Sequence, residues 1–278
     1  MKVGYCVAIL PSMASFRLRV AIPAAHLGCD YEIGTIGNPS FFYKHDESDA
    51  DLARDCGPYV YDVVNDHFAG KYGQHYRRMI AGAAAVTCGS EQMAWRIRQE
   101  TYADPIVIDD PYENQEEEPA CEGNGILWFG HAANIRSLAP YVDIPNLTVC
   151  SNVPHPLVVP WSMGEERRQL ATASIVLMTG TPTASSNRVV KALRAGRFVV
   201  TPGGVPAWDA LQEFIWVGPV QEGIEWALTH REEACAKIEA GQQFLREANS
   251  PTRIALRWMD VFASISAPDT SGKRAGSA

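Results

Sequence analysis

The chain has 278 residues, 46% apolar and 20% charged, with 22 Gly and 18 Pro. That composition excludes a disordered, collagenous or coiled-coil protein, and the length suggests two domains with enough chain for full cores. Lys and Arg number 24 against 32 Asp and Glu; the net charge of -8 argues against affinity for nucleic acid or anionic lipid driven by bulk charge.

Seven cysteines (Cys6, Cys29, Cys56, Cys88, Cys121, Cys150, Cys235) stand singly, with no C-x-x-C pair, and read as reduced thiols. The apolar start stops at Pro11, too short for a signal segment, and no run of about 18 apolar residues follows. A cytoplasmic protein without a membrane span is therefore expected.

Val3–Leu10 is a nearly continuous apolar run, the pattern of a buried parallel strand. A helix is expected over about Ser15 to Leu27. Strands follow at Tyr59–Val64, Ala83–Thr87 and Pro105–Ile108. A helix over Ser90–Thr101 has Ser90 as its cap and Glu91 in its first turn, where the helix dipole favours an acid. The stretch from Asn114 to Gly125, acidic and broken by Pro119 and Gly123, reads as a linker with Glu116-Glu117-Glu118 as a solvated connector.

The alternation then restarts. Strands are expected at Ile126–Phe129, Leu147–Cys150, Ser174–Met178, Arg197–Thr201 and Phe214–Val217. Helices are expected at Glu165–Ala171, Ser186–Ala195, Val220–His230, Arg231–Glu247 and Thr252–Ser264. Strands alternating with helices imply parallel sheets, here two doubly wound α/β domains in series. The boundaries are 1–115, a linker at 116–124, 125–265 with a last helix that packs back on the first domain, and a frayed tail at 266–278.

The strongest local signal is the loop from Thr181 to Ser185 feeding Ser186-Asn187-Arg188 at a helix start. Backbone N–H groups, the positive dipole end and a planar guanidinium meet there, which suits a phosphate. The alternative is an ordinary Ser-capped helix with a surface arginine. Asp49-Ala50-Asp51 is a D-x-D in a dense polar stretch and reads as a solvated face, so no metal site is expected. No H-E-x-x-H or G-x-S-x-G is present.

In order along roughly residues 1 to 250, several blocks resemble the family-4-like retaining GT-B glycosyltransferases. They are the Ser186–Val200 block ending Ala195-Gly196-Arg197-Phe198-Val199-Val200, the strand and turn Ile126-Leu127-Trp128-Phe129-Gly130-His131, Ala85-Val86-Thr87-Cys88-Gly89-Ser90-Glu91, and Pro105-Ile106-Val107-Ile108-Asp109-Asp110-Pro111. The resemblance implies two Rossmann-like doubly wound domains facing across a cleft, and sugar transfer from a nucleoside diphosphate sugar to an acceptor hydroxyl. It further implies retention, without metal or other cofactor. It places the donor at Gly130, His131, Asn134, Arg136, Ser186, Asn187, Arg188, Gly203 and Gly204. Asp66 and His67 are the catalytic candidates, and Ser15, Arg17 and Arg19 face the acceptor or a phosphate. Asp66-His67 has a rival reading as a strand-end capping pair. Two glutamates of the family pattern, contacting sugar and ribose, are replaced here by Thr183 and Lys191.

The acceptor stays open among a glycan, a small molecule and modified nucleic acid, and the oligomeric state is not specified. The alternatives are a phage-type glucosyltransferase acting on hydroxymethylated DNA bases, a nucleotide-sugar epimerase, and a non-catalytic nucleotide-sugar-binding subunit.

Overall fold

The computed structural model describes residues 3–7, 14–28, 31–33, 40–43, 53, 57–113, 117–179, 185–203 and 206–266. Contacts divide the chain into two units. One is Met1–Cys88 with Ala94–Ile108 and Ile254–Ala278; the other is Gly89–Met93 with Asp109–Arg253.

The first unit holds β1 (Val3–Val7), β2 (Tyr31–Ile33), β3 (Ser40–Tyr43), β4 (Tyr59–Val63), β5 (Ala85–Cys88) and β6 (Ile106–Val107). They form one parallel sheet in the order β2-β1-β3-β4-β5-β6. Every residue of β4 is buried, as expected where a parallel sheet is covered on both faces. A helical segment starts with α1 (Ala14–Phe16), widens into a π-helical stretch at Arg17–Ala21 and closes with α2 (Ile22–Leu27). Pro23 has no N–H to donate and its ring crowds the preceding turn; just upstream the Ile22 N–H reaches the Arg17 carbonyl, five residues back. Next come α3 (Gly73–Gly82) and α4 (Glu91–Thr101), the latter capped by Ser90, whose Oγ accepts from the Met93 N–H at 3.1 Å.

The last helix, Pro251–Ser266, sends Ile254, Trp258, Val261 and Phe262 into the core of this unit, among Phe16, Val20, Phe41, Val60 and Ile108. Arg19, expected to face an acceptor or phosphate, is drawn into the same core and is 2% exposed. Its guanidinium pairs with both Asp62 oxygens at 2.7 and 2.9 Å, donates to the Ile108 carbonyl and stacks on Trp258 at 4.9 Å. Thr87 donates to the same Asp62 at 2.7 Å. A buried cation needs this compensation, and providing it withdraws Arg19 from any ligand.

The second unit holds β7 (Ile126–Gly130), β8 (Leu147–Ser151), β9 (Val159–Pro160), β10 (Ile175–Leu177), β11 (Phe198–Thr201) and β12 (Trp216–Val217). Their parallel order is β12-β11-β10-β7-β8-β9. Counted from β7, this is the 3-2-1-4-5-6 arrangement, whose order reverses between β7 and β10. Around the sheet lie a 3-10 helix at Ala132–Tyr141, α5 (Met163–Thr172), α6 (Asn187–Arg194), a second 3-10 helix at Pro206–Phe214, α7 (Val220–Thr229) and α8 (Arg231–Ala248); the last helix is α9.

The acidic stretch is not a solvated connector. Glu117 pairs with Arg194 and Arg246, Glu118 pairs with Arg197 at 3.0 Å, and Gln242 donates to the Glu118 carbonyl at 2.9 Å. Arg194 and Arg197 are 2% and 1% exposed, so folding takes two guanidiniums from water and the acidic run supplies their counter-charges. Cys121 forms a disulfide with Cys235 of α8, with Cα atoms 5.5 Å apart, which corrects the expectation of seven reduced thiols. Cys88 and Cys150 are free and buried. Cys29, Cys56, Glu116, the D-x-D and residues 267–278 lie outside the described residues.

Candidate functional site

In open parallel sheets a ligand sits at the carboxyl ends of the strands, where strand order reverses. In the second unit that point lies between β7 and β10, and Arg188 occupies it. The guanidinium donates to the Phe129 carbonyl at 3.0 Å and to the Thr179 carbonyl at 2.9 Å, joining the two strand ends. Gly130 makes room for it: a Cβ there would stand 2.9 Å from Arg188 Nη1 and 3.1 Å from the Trp128 ring. Among the described residues no carboxylate lies within ion-pairing distance of Arg188. Burial pulls its pKa down to about 10, with the Glu166 charge opposing, so at neutral pH it remains a poorly solvated cation with no directly paired carboxylate among the described residues.

The surrounding polar groups are organised. Trp128 Nε1 donates to Thr179 Oγ1 at 2.8 Å, and that hydroxyl meets Ser137 Oγ at 2.6 Å. Ser137 in turn donates to the Asn134 carbonyl at 2.6 Å. At the start of the 3-10 helix, His131 Nδ1 accepts from the Ala133 N–H and Asn152 Oδ1 accepts from the Ala132 N–H. Arg136, one turn on, is exposed, and among the described residues it has no ion-pair partner. Arg188 is thus not the surface arginine of a Ser-capped helix. Ser186 is buried and its side chain does not cap α6.

Gly130 ends β7, His131 caps the 3-10 helix that carries Asn134 and Arg136, and Ser186, Asn187 and Arg188 stand at the start of α6, the helix after β10. Gly203 follows β11 at φ +106, a conformation that favours glycine; Gly204 and Thr183 lie outside the described residues. Lys191, one turn along α6, pairs with Glu113 at 2.8 Å and Glu166 at 2.7 Å. Burial works against its charge, but the two carboxylates outweigh it and hold the ammonium above its ordinary range. Thr179, Ser137, Asn152, Glu113 and Glu166 went unnoticed in the sequence because their neighbours in space are distant along the chain. Thr179 alone had a signal, since it closes the strand ahead of Gly180.

In the first unit Asp66 and His67 follow β4. Asp66 accepts from the Phe68 N–H at 3.2 Å and pairs with Arg96 at 3.3 Å, so the capping bond is present. The His67 ring meets Tyr72 at 6.0 Å and Tyr76 at 5.8 Å, both edge-on. Burial, with the nearby Asp62 and Asp66 charges, pushes the Tyr76 phenol well up, so it stays neutral. Ser15 lies in α1 and Arg17 opens the π-helical stretch; both are half-buried. Among the described residues no group of three His, Cys, Asp or Glu is placed to hold a metal ion, and no helix is long and apolar enough to cross a membrane.

No protein-family profile matches this chain, and no curated protein matches it in sequence. Solved structures do match. HepE of Anabaena in complex with UDP-glucose superposes with a TM-score of 0.66 at 13% identity, over 95% of this chain and 100% of its own. The chain has the GT-B fold. An α-glucosyltransferase in complex with UDP-glucose and DNA containing an abasic site gives 0.65 at 7% identity, over 94% and 99%. WaaG, a glycosyltransferase involved in lipopolysaccharide biosynthesis, gives 0.61 at 12%, also over 94% and 99%. At these identities the likeness is one of fold, and the GT-B arrangement accounts for the two doubly wound units.

Proposed function

We propose that this GT-B chain is a glycosyltransferase that moves a sugar from a nucleoside diphosphate sugar to an acceptor hydroxyl, with retention and without a metal ion. The observation that carries the reading is Arg188, a half-buried guanidinium with no carboxylate partner among the described residues, at the β7–β10 switch point beside the first turn of α6. A diphosphate supplies the missing counter-charge. As the sugar C1–O bond to the β-phosphate breaks, negative charge grows on the leaving oxygen, and preorganised donors in a partly dry site stabilise it. Arg188, the first N–H groups of α6, and His131, Asn134 and Arg136 after β7 are the donors; Gly203 lets a ligand approach the backbone. C1 forms its new bond to the acceptor oxygen, and His67 takes the acceptor proton, while Asp66, held by Arg96, fixes the turn that carries it. Ser15 and Arg17 orient the acceptor; Arg19 has no part.

Arg188→Ala is expected to weaken UDP binding by roughly ten- to a hundredfold, the equivalent of one charge-assisted hydrogen bond site. Arg188→Lys recovers part of the loss, since an ammonium lacks the planar fork. Isothermal titration measures both, with an EDTA arm expected to leave the wild-type affinity unchanged. Equal affinity in wild type and Arg188→Ala would remove the basis of the reading.

A nucleic-acid acceptor is the second reading. It is favoured by the exposed Lys71, Arg77 and Arg78 around α3 and by the DNA-bound structure among the neighbours. Salt-dependent retention on DNA decides between it and a small or glycan acceptor.

A further inference from the structure

The two strand ends at the switch point of the second unit are held by more than Arg188. Backbone pairing between β7 and β10 matches Ile126 with Ile175 and Leu127 with Val176. Past those rungs two side-chain links join the strands. One is the Arg188 guanidinium, on the Phe129 and Thr179 carbonyls. The other is the Trp128 indole, whose Nε1 donates to Thr179 Oγ1 at 2.8 Å. Trp128 and Thr179 are 0% and 2% exposed, so neither partner of that bond has water to turn to.

The direction of each proton in this network is fixed. An indole N–H only donates, and a carbonyl only accepts. Ser137 gives its one proton to the Asn134 carbonyl at 2.6 Å, so at the 2.6 Å contact between the two hydroxyls Thr179 is the donor. The chain runs from the Trp128 N–H through the Thr179 and Ser137 hydroxyls to the Asn134 carbonyl. Each hydroxyl both accepts and donates, so each bond polarises the next. Thr179 also holds Arg188 through its own carbonyl, and Trp128 immediately precedes Phe129, whose carbonyl takes the other guanidinium nitrogen. Both acceptors of Arg188 thus sit on backbone that one side-chain bond ties together.

We propose that Thr179 is the positioning residue of Arg188, its hydroxyl fixing, between Trp128 and Ser137, the pair of carbonyls that orients the guanidinium toward an anion. The inference rests on the donor-site reading and adds to it what holds the phosphate-binding cation in place. The two carbonyls occupy two of the five guanidinium N–H groups, and the orientation they impose decides where the others point. Without the Thr179 hydroxyl, the Trp128 N–H loses its acceptor and Ser137 loses its donor. The Thr179 carbonyl is then free to turn, and ordering the guanidinium becomes a cost of binding instead of folding.

The test is a double-mutant cycle read by calorimetric titration of the full chain with UDP. Thr179→Val, close to threonine in shape but without the hydroxyl, is expected to weaken UDP binding roughly three- to tenfold, the effect of one neutral hydrogen bond. Thr179→Ser, which keeps the hydroxyl, recovers most of the loss. In the Arg188→Ala background Thr179→Val is expected to make no further difference, because the group it acts through is gone. A hydroxyl with a merely structural role would weaken both backgrounds alike. UDP affinity unchanged in Thr179→Val, losses that add in the double variant, or a serine that recovers nothing would each overturn the positioning role and leave the donor site standing. Ser137→Ala breaks the same chain at its half-buried end and is expected to show the same pattern; melting curves report folding, and this variant decides if Thr179→Val does not fold. An Arg188→Ala variant that binds UDP as tightly as wild type overturns the donor-site reading and this inference together.

Discussion

Arginines in this chain play roles that their residue type alone does not announce. Arg19, Arg194 and Arg197 are buried against carboxylates, whereas Arg188 is half-buried against two backbone carbonyls. Of these, only Arg188 keeps an electrostatic demand that an anionic ligand can meet. The same scale has a local strain. Tyr102, just past α4, sits at φ +61 and is 97% exposed, a left-handed conformation that costs a side chain roughly 1 kcal/mol relative to glycine. Its N–H still closes the helix on the Arg98 carbonyl at 3.2 Å, so the turn is set by the helix end and not by the ring. Tyr102→Gly is expected to raise stability by about 0.5–1 kcal/mol, seen as a higher urea midpoint at unchanged slope. A lower midpoint would mean that the ring makes a contact that outweighs the strain.

The decisive element is the stretch from Glu117 to Asn124. Composition marks it as a connector, yet it lies along α6 and α8, pinned by Glu117 and Glu118 to buried arginines and by Cys121 to Cys235. Further bonds run from the Cys121 N–H to the Gly196 carbonyl at 3.0 Å and from Arg231 to the Cys121 carbonyl at 2.6 Å. A protease therefore meets a strapped segment. The disulfide joins residues 114 apart in sequence, and removing such a bond costs about 2–4 kcal/mol. Dithiothreitol should lower the melting temperature of wild type, and Cys121→Ser should melt at the reduced wild-type temperature and ignore the reductant. Under non-reducing conditions cleavage after Glu117 and Glu118 should be slow. A melting temperature indifferent to reductant would show that the ion pairs alone hold the strap.

At the scale of the molecule, the chain returns to where it began. Unit two is continuous from Asp109 to Arg253, apart from Gly89–Met93, and the remaining helix completes unit one. Trp258, 1% exposed, meets Phe41 edge-on at 5.2 Å and stacks under Arg19, so the first core is finished only when the last helix arrives. Trp258→Ala is expected to cost the first unit about 3–5 kcal/mol. Because Arg188 and its neighbours belong to the other unit, UDP affinity should change little. Calorimetry with and without UDP tests both statements: the first unit's transition drops, and the ligand still raises the second's. Loss of UDP binding in this variant would show that the donor site depends on the first core.

Periodicity along the chain was enough to determine most of the strands and most of the helices, because a strand buried on both faces must be apolar throughout and a helix must cap its ends. The apolar runs Ile126–Phe129 and Phe198–Thr201 are plain as pattern, and Ser186-Asn187-Arg188 was legible as a helix start after a small-residue loop. The short strands Tyr31–Ile33, Ser40–Tyr43 and Val159–Pro160, the helix Gly73–Gly82 and both 3-10 helices were not. Two to four residues carry no period, and a helix rich in His, Tyr and Arg hides its apolar face. Which arginine is occupied and which is available was beyond the sequence altogether. Asp62 finds Arg19 from 43 residues away, Glu118 finds Arg197 from 79, and Glu166 finds Lys191 from 25; charge compensation is a property of distance in space, and only the packed chain sets it.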